Sequence, residues 1–130
     1  MSSKVLKNFL RSNISYMNKK TLFEKIIDRE IPSEIIYEDD LCIAIEDINP
    51  QAPTHILLIP KKPIEKFIDL NQEDKDLLAH LFLKVNEIAL ICNISDSFRI
   101  NINNGEEAGQ EVFHLHIHIL GGRKFSWPPG

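Results

Sequence analysis

The sequence predicts an α+β fold in which an antiparallel five-stranded sheet packs against one long helix and a short N-terminal helix. Two observations carry this prediction. Short β-rich segments follow one another with turn residues between them, which indicates hairpins rather than alternating strand–helix–strand units. Between the third and fourth of these segments, residues 72–92 change to a helical period. A length of 130 residues suits one domain with one core.

The first predicted elements are a short helix and a hairpin. Thr21 is the predicted N-cap of a helix over residues 22–28, with Glu24 three residues on as its capping-box partner. Residues 34–37 and 41–46 are rich in β-forming side chains and are separated by three acidic residues. They are therefore predicted to pair as a hairpin.

A loop with two prolines, residues 49–53, leads into a third predicted strand over residues 54–59. The long helix follows, with Asp69 or Asn71 as its predicted cap. Apolar side chains at helical spacing predict its buried face: Leu77, Leu81, Val85, Ile88 and Cys92.

Two further strands complete the predicted sheet. They span residues 98–102 and 112–120, and a glycine-containing loop over residues 103–109 joins them. Gly121 and Gly122 end the last strand, and the proline-rich tail after them is predicted to be irregular.

The charge of the chain is unevenly distributed. The net charge is −4, yet residues 1–20 hold five basic residues and no acidic one, and the remainder holds 10 basic and 19 acidic residues. An acidic body does not suit a nucleic-acid binder, and no apolar run is long enough for a bilayer span. We therefore expect neither nucleic acid nor membrane as a partner.

The basic leader divides the chain into an extension, residues 1–20, and a domain, residues 21–130. The leader suits either a disordered or helical extension or a transit peptide, because it is basic and free of acidic residues. The expected location is the cytoplasm, with the nucleus also open. A mitochondrial or other organellar location is the alternative if the leader is a transit peptide.

Residues 113–120 read Phe-His-Leu-His-Ile-His-Ile-Leu. Side chains alternate between the faces of a strand, so His114, His116 and His118 are predicted to form one row. The residues between them are predicted to face a core: Phe113, Leu115, Ile117 and Ile119. A solvated strand face would more usually carry lysine, glutamate, threonine or serine. The row therefore indicates chemistry.

Two chemistries suit a row of histidines. Two neighbours could share a zinc ion with His55 or a carboxylate, but His114 and His118 lie roughly 13 Å apart along a strand, and no cysteine pair completes a metal set. Alternatively, one imidazole attacks phosphorus while a protonated neighbour holds an oxygen or protonates the leaving group. The asparagines, glycines and glutamine of residues 103–110 favour the phosphate chemistry.

The row has the pattern His-φ-His-φ-His-φ-φ, with φ apolar, and so resembles the histidine triad (HIT) superfamily. Five further stretches are similar to its Hint branch, the histidine triad nucleotide-binding proteins: residues 47–55, 59–62, 109–110 and 121–123 and the ending Trp-Pro-Pro-Gly at 127–130. The resemblance covers residues 21–130. It implies the HIT-like fold, with the sheet extended across a homodimer.

The resemblance also implies an activity. Such proteins bind purine nucleoside monophosphates, AMP or GMP, and hydrolyse the P–N bonds of AMP-amine and aminoacyl-adenylate-like substrates without a metal. By position, His116 is the nucleophile that becomes nucleotidylated, and His118 contacts the phosphate and assists departure of the leaving group. His114 and His55 are expected to hold His116 in its reactive tautomer.

The remaining site residues follow from the same resemblance. Asp47 is expected to accept both ribose hydroxyls, and Trp127 to contact the partner subunit's site. Three positions match the phosphate loop: Asn103, Gly109 and Gln110. The apolar base pocket is matched by Phe23, Ile31, Ile45 and Ile48. Two more residues are expected beside the nucleotide: Glu111 and Ile117.

Two positions depart from the Hint pattern. Glu111 stands where many members have serine, and an ionised carboxylate there offers no donor to a phosphate. Pro63 stands where several relatives have another histidine, and little effect is expected. Three alternatives to the phosphoramidase remain: a dinucleoside polyphosphate hydrolase of the Fhit type, a nucleotide-binding scaffold with incidental turnover, and a metalloenzyme.

Overall fold

The sheet of the computed structural model has the strand order β1-β2-β3-β5-β4, and every neighbouring pair is antiparallel. The structure describes residues 20–130, so the predictions for residues 1–19 lie outside it. In chain order the elements are α1 (Leu22–Ile27), β1 (Ile35–Glu38), β2 (Cys42–Glu46), β3 (Thr54–Pro60), α2 (Lys75–Ile91), β4 (Phe98–Asn101) and β5 (Ile117–Gly121). The α+β prediction is confirmed.

The start of α1 is fixed by its cap. The side chain of Thr21 accepts a hydrogen bond from the backbone N–H of Glu24 at 3.2 Å, as predicted, and so satisfies one donor of the first turn. The helix then buries Phe23 and Ile26 against the sheet.

The long helix begins three residues later than predicted. Asn71 accepts from the backbone N–H of Glu73 and caps a separate 3-10 turn, Gln72–Asp74, before α2 starts at Lys75. The predicted apolar face is correct at its centre, where Leu81, Val85 and Ile88 are buried.

The two helices cover opposite faces of the sheet. On one face, α2 packs over alternate residues of the inner strands, among them Ala44, Leu58 and Ile119. On the other face, α1 packs over the intervening residues, among them Ile45 and Leu57. Period-two alternation in β2 and β3 supplies both cores, which is why these strands are apolar throughout. No helix among residues 20–130 has the length and apolarity that a bilayer span requires.

The histidine segment differs from the predicted strand. β5 begins at Ile117, opposite Leu58 of β3, and the residues before it leave the ladder: the backbone N–H of Leu115 donates to the carbonyl oxygen of Ile64 instead. Phe113 is 41% exposed rather than part of the core. The three histidines therefore do not form one exposed strand face: His114 and His116 are buried before the strand.

Candidate active site

A cavity of about 360 Å³ lies on the α1 side of the sheet. Its apolar walls include Phe23, Ile31 and Ile45, and its polar lining includes His116 and His118. Four more predicted site residues also line it: Asp47, Ile48, Gly109 and Glu111. The structure thus brings together most of the residues that the sequence assigned to base, ribose and phosphate.

Other predicted residues support the cavity from behind or beside it. His55 and His114 are buried next to its lining, and Asn103 and Gln110 hold the loop before the histidines. The expectation that Ile117 lies beside the nucleotide needs correction, because its side chain packs in the core under α2, on the opposite face of the sheet. Ile48 lies at the rim with 94% of its side chain exposed.

The sequence analysis missed part of the lining. Ile26 and Leu57 follow the same apolar periodicity as the core and carried no separate signal. Six other lining residues were also missed: Leu22, Pro32, Ser33, Glu46, Asn49 and Val112.

His116 is held as a potential nucleophile. Its Nδ1 lies 2.7 Å from the backbone carbonyl oxygen of His114, and a carbonyl only accepts, so the ring hydrogen is on Nδ1. The Nε2 atom is then a bare lone pair on a ring that lines the cavity. The ring of Phe23 packs edge-on against it, with centroids 4.9 Å apart. The expectation that His114 and His55 set this tautomer needs correction, because the His114 backbone sets it.

A chain of hydrogen bonds from the backbone of Gln51 through His55 fixes the tautomer of His118. The backbone N–H of Gln51 donates to Nδ1 of His55 at 3.0 Å, so the ring hydrogen of neutral His55 is on Nε2. That Nε2 lies 2.9 Å from Nδ1 of His118, which must accept. The hydrogen of His118 is consequently on Nε2, an atom that is buried without a partner among residues 20–130. This donor is available to a ligand in the cavity.

His114 has different hydrogen-bond partners from the other two rings of the triad. Its Nε2 donates to the carbonyl oxygen of Pro60 at 2.6 Å, and its Nδ1 lies 3.5 Å from the hydroxyl oxygen of Thr21. It therefore ties the segment before β5 to the end of β3 and to the cap of α1. The side chain of His114 thus holds the segment in place, and its backbone carbonyl oxygen orients the ring of His116.

The histidine rings are held neutral by burial. Burial lowers the pKa of His114 and of His116 below the usual range, because a charged imidazole loses hydration there. Burial, followed by the neighbouring rings of His116 and His55, lowers the pKa of His118 to about 4. The sequence analysis expected a protonated neighbour beside the nucleophile, and the free site instead offers a neutral donor.

Asp47 follows β2 and lies beside the histidine pair. Its Oδ1 accepts from the backbone N–H of Asn49 at 2.8 Å, and its Oδ2 lies 3.4 Å from Nε2 of His55. This carboxylate opposes the effect of burial on the pKa of His55, which is nevertheless lowered. The turn 47–49 keeps one carboxylate oxygen at the cavity wall.

Gln110 is a structural centre of the loop rather than a phosphate donor. Its side chain, only 3% exposed, accepts from the backbone N–H of Gly105 and donates to the carbonyl oxygens of Glu65 and Val112. Both amide hydrogens are used, so the expected phosphate contact through this side chain is not available in this arrangement. The side chain of Asn103 donates to the carbonyl oxygen of Gly109, which holds the other side of the same loop.

The tail is irregular, as predicted, but it is attached to the domain. Arg99 donates to the carbonyl oxygen of Ser126 at 3.0 Å, and the guanidinium groups of Arg99 and Arg123 both lie over the Phe125 ring. Trp127 beyond them is 83% exposed. Its predicted contact with a partner subunit stays a prediction.

One set of side chains could hold a metal ion at the histidines. One ligand atom each of Asp47, His55 and His118 lies within 4.8 Å of the others. However, the two ring nitrogens are 2.9 Å apart, whereas two nitrogens bound tetrahedrally to one zinc at ~2.0–2.1 Å lie about 3.3 Å apart. The tautomers set by Gln51 account for this spacing as a hydrogen bond, so the residues fit a relay better than a metal site.

Fold and site together define a class of protein, an α+β domain with buried histidines beside an apolar cavity on one sheet face. The HIT domain family matches residues 28–125, and the chain belongs to this family.

Curated relatives and solved structures agree with this assignment. The chain is 61% identical over 114 residues to an uncharacterised HIT-like protein of Synechocystis, and 53% identical over 114 residues to one of Synechococcus elongatus. Each match covers 88% of this chain and all of the relative. The structure of a HIT family hydrolase of Legionella pneumophila is 44% identical, with a TM-score of 0.83 over 85% of this chain and all of that one. The chain is thus a HIT family hydrolase-like protein.

Proposed function

We propose that the protein is a purine nucleoside phosphoramidase that hydrolyses the P–N bond of AMP-amine and aminoacyl-adenylate-like substrates. The single observation that carries this proposal is the pair of complementary ring atoms. His116 offers a bare Nε2, and His118 offers an Nε2–H that has no partner among residues 20–130, on rings whose centroids are 5.0 Å apart. A lone pair and a donor side by side suit attack on a phosphorus whose oxygens gain charge.

The cavity supports a nucleoside monophosphate as the bound unit. The apolar walls around Phe23, Ile31 and Ile45 suit a purine base, and the carboxylate of Asp47 suits two vicinal hydroxyls. The histidines lie in the same lining, so phosphorus attached to such a nucleoside reaches His116. Gly109, with φ of 96°, lets the loop backbone approach the phosphate closely.

The reaction balances with these rings and water. The Nε2 lone pair of His116 attacks the phosphorus of an N-protonated phosphoramidate, and the amine departs as a neutral molecule with the electron pair of the broken P–N bond. The covalent nucleotidyl-histidine keeps its Nδ1–H on the carbonyl oxygen of His114. Water then attacks the phosphorus, the P–Nε2 electron pair returns to His116, and the water proton passes to the released amine.

His118 acts in this scheme as a neutral hydrogen-bond donor. Its Nε2–H donates to a phosphoryl oxygen as charge develops there, and the lowered pKa keeps the ring in this form. His55 and Gln51 keep the donor oriented, and no step requires His118 to become a cation.

The decisive experiment compares two substrates in EDTA. We expect adenosine phosphoramidate to be hydrolysed well and diadenosine triphosphate poorly, and His116→Ala to lose more than about a thousandfold in kcat/KM. His80→Ala is the matched control, because His80 lies on α2 and pairs with Asp39 outside the cavity. Retention of AMP binding by His116→Ala shows that the pocket remains folded.

Each alternative gives a different result. Preference for the dinucleotide indicates an Fhit-type hydrolase, and AMP binding without turnover of either substrate indicates a nucleotide-binding scaffold. Loss of activity in EDTA that zinc restores indicates a metalloenzyme.

A homodimer is part of the proposal. β4 is an edge strand of the sheet, and Ile100 on it is exposed, as are Leu83 and Leu90 on α2. An exposed apolar edge suits pairing with a second β4, which would also offer Trp127 a partner subunit. Light scattering checks this: we expect a dimer for the wild type and a monomer for Ile100→Lys.

A further inference from the structure

The loop between β2 and β3 carries the amide that sets the tautomers of His55 and His118, yet its own backbone is weakly held. Among residues 20–130, no backbone–backbone hydrogen bond starts or ends within residues 49–53. Two of these five residues are prolines, which have no N–H to donate, and four of the five are exposed. Contacts with side chains therefore determine how firmly the loop holds its amide in place.

Gln51 is restrained through both of its peptide groups. Its N–H donates to Nδ1 of His55 at 3.0 Å, and its carbonyl oxygen accepts from Nε of Arg123 at 3.2 Å. The two peptide planes meet at one Cα, so the two bonds together restrain both backbone torsions of Gln51. The side-chain amide of Gln51 bonds within the loop, to the carbonyl oxygen of Asn49, and does not attach the loop to the rest of the domain.

Arg123 is itself held in the position that this contact requires. Its guanidinium lies over the ring of Phe125, 4.2 Å from the centroid, and its Nη1 donates to the carbonyl oxygen of Lys124 at 3.1 Å. The preceding residue, Gly122, lies directly against the loop, because a Cβ there would be 2.9 Å from Cβ of Pro53. A side chain that is already ordered loses little further freedom when it donates to Gln51.

The two rings of the relay have a second arrangement, which the amide of Gln51 opposes. With its hydrogen on Nδ1, His55 would accept at Nε2, and His118 would have to donate from Nδ1 across the same 2.9 Å. Nε2 of His118 would then be a bare lone pair, which repels a phosphoryl oxygen. The N–H of Gln51 disfavours this state because two donors would face each other, and the Asp47 carboxylate, 3.4 Å from Nε2 of His55, also favours the first arrangement.

We infer that Arg123 is a positioning residue for the reaction, because it holds the carbonyl of Gln51 and so keeps the hydrogen of His118 on Nε2. Arg123 does not line the cavity, and it touches no reacting atom in the proposed scheme. The inference deepens the proposed function, and its kinetic part rests on that function. The part that concerns tautomers applies to the free protein.

The tautomers test the inference without any substrate. In Arg123→Met, nitrogen-detected NMR at neutral pH should show both His55 and His118 as mixtures that include the Nδ1–H form. His116 should keep its hydrogen on Nδ1, since the carbonyl of His114 sets it, and so reports that the site is folded. Arg123→Lys retains a donor and should keep most of His118 in the Nε2–H form.

Arg99→Met is the matched control. The Arg99 guanidinium also lies over the Phe125 ring and also holds the tail, by donating to the carbonyl oxygen of Ser126, but it makes no bond to Gln51. This variant therefore loosens the same aromatic contact and should keep the wild-type tautomers of His55 and His118.

Kinetics with adenosine phosphoramidate measure the consequence for the reaction. Arg123→Met should lower kcat about three- to tenfold, the range of one net hydrogen bond, because part of the protein lacks the donor of His118. The value of KM should change less than about twofold, since the lining of the cavity is intact. Arg123→Lys should recover most of kcat.

Each outcome bears on one proposal or the other. Wild-type tautomers in Arg123→Met overturn the inference, whatever the activity, and so does the same tautomer change in Arg99→Met or a change in His116. If His118 changes in Arg123→Met but the wild type does not hydrolyse the phosphoramidate, the proposed function fails while the positioning of the relay stands. A tautomer change in Arg123→Met that Arg123→Lys reverses supports the assignment.

Discussion

Nε2 of His55 lies 2.9 Å from Nδ1 of His118, and the direction of this hydrogen bond is fixed by a backbone amide two groups away. The amide is that of Gln51, which donates to the other nitrogen of His55 at 3.0 Å. A peptide N–H can only donate, so the nitrogen that faces it must accept, and this determines the tautomers of both rings. Arg123 in turn donates to the carbonyl oxygen of Gln51, which links the relay to the segment after β5.

The first prediction concerns these tautomers. Nitrogen-detected NMR of the histidine rings at neutral pH should show His55 and His118 with hydrogen on Nε2, and His116 with hydrogen on Nδ1. In His55→Phe, the Nδ1 of His118 loses its donor, so His118 should become a mixture of tautomers while His116 stays unchanged. An Nδ1–H form of His118 in the wild type would contradict the relay.

A second prediction is that stability falls in mild acid. The unfolded chain has histidine pKa values near 6.5, and burial lowers those of His55, His114, His116 and His118 in the folded domain. The unfolded state thus binds more protons below about pH 6.5, so the free energy of unfolding decreases from there toward the folded pKa values. Above about pH 6.5 the contribution of these histidines to the free energy of unfolding is fully present.

The measurement is urea unfolding followed by circular dichroism. Between about pH 7.5 and pH 5.5, His118 alone should account for a loss of up to about 1 kcal/mol, because its folded pKa is about 4 and solvent screens the half-buried ring in part. His118→Asn should therefore show a shallower decrease than the wild type over the same window. Equal slopes in the two proteins would count against a neutral His118.

The third prediction is that Gln110→Leu destabilises the loop. The variant leaves the N–H of Gly105 and the carbonyl oxygens of Glu65 and Val112 without their partner, at a cost of about 2 kcal/mol. Affinity for AMP should also fall, because this loop carries Gly109 to the cavity. Gln72→Leu, on an exposed turn, is the control and should change stability by less than about 0.5 kcal/mol. Equal stability of the two variants would refute this role.

Much of the fold was predictable because its signals are local. The cap at Thr21, the apolar face of α2 and the alternation in β2 and β3 each depend on a few neighbouring residues. The start of β5 was not predictable, since it depends on a long-range contact: the backbone N–H of Leu115 donates to the carbonyl oxygen of Ile64 rather than to a strand. The alternation of residue types extends back to Phe113 although the ladder with β3 begins only at Ile117, which is why Phe113 was wrongly expected in the core.

The candidate site also has a part that was predictable from the sequence and a part that was not. The histidine pattern located the reactive side chains, and the family resemblance located Asp47 and part of the apolar wall, whereas Ile26 and Leu57 carry no signal that separates them from the core. Contacts made by the backbone leave no mark on the sequence, so neither the amide of Gln51 nor the carbonyl of His114 could be inferred. The role of Gln110 was misjudged for a related reason, because an amide side chain suits a phosphate and a loop interior equally well.

The last prediction tests the close packing of β5 against the segment after α2. A Cβ on Gly121 would lie 2.8 Å from Cγ2 of Ile94, which is buried, so Gly121→Ala should destabilise the domain by about 2 kcal/mol through overpacking. Ile94→Ala alone should also destabilise, by leaving a cavity. The double variant should be more stable than the sum of the two effects implies, since the smaller side chain makes room for the new methyl group. Gly130→Ala, where a Cβ meets nothing within 4 Å, is the control in the same urea titration. Simple additivity of the two substitutions would mean that Ile94 is not what limits the residue at this position.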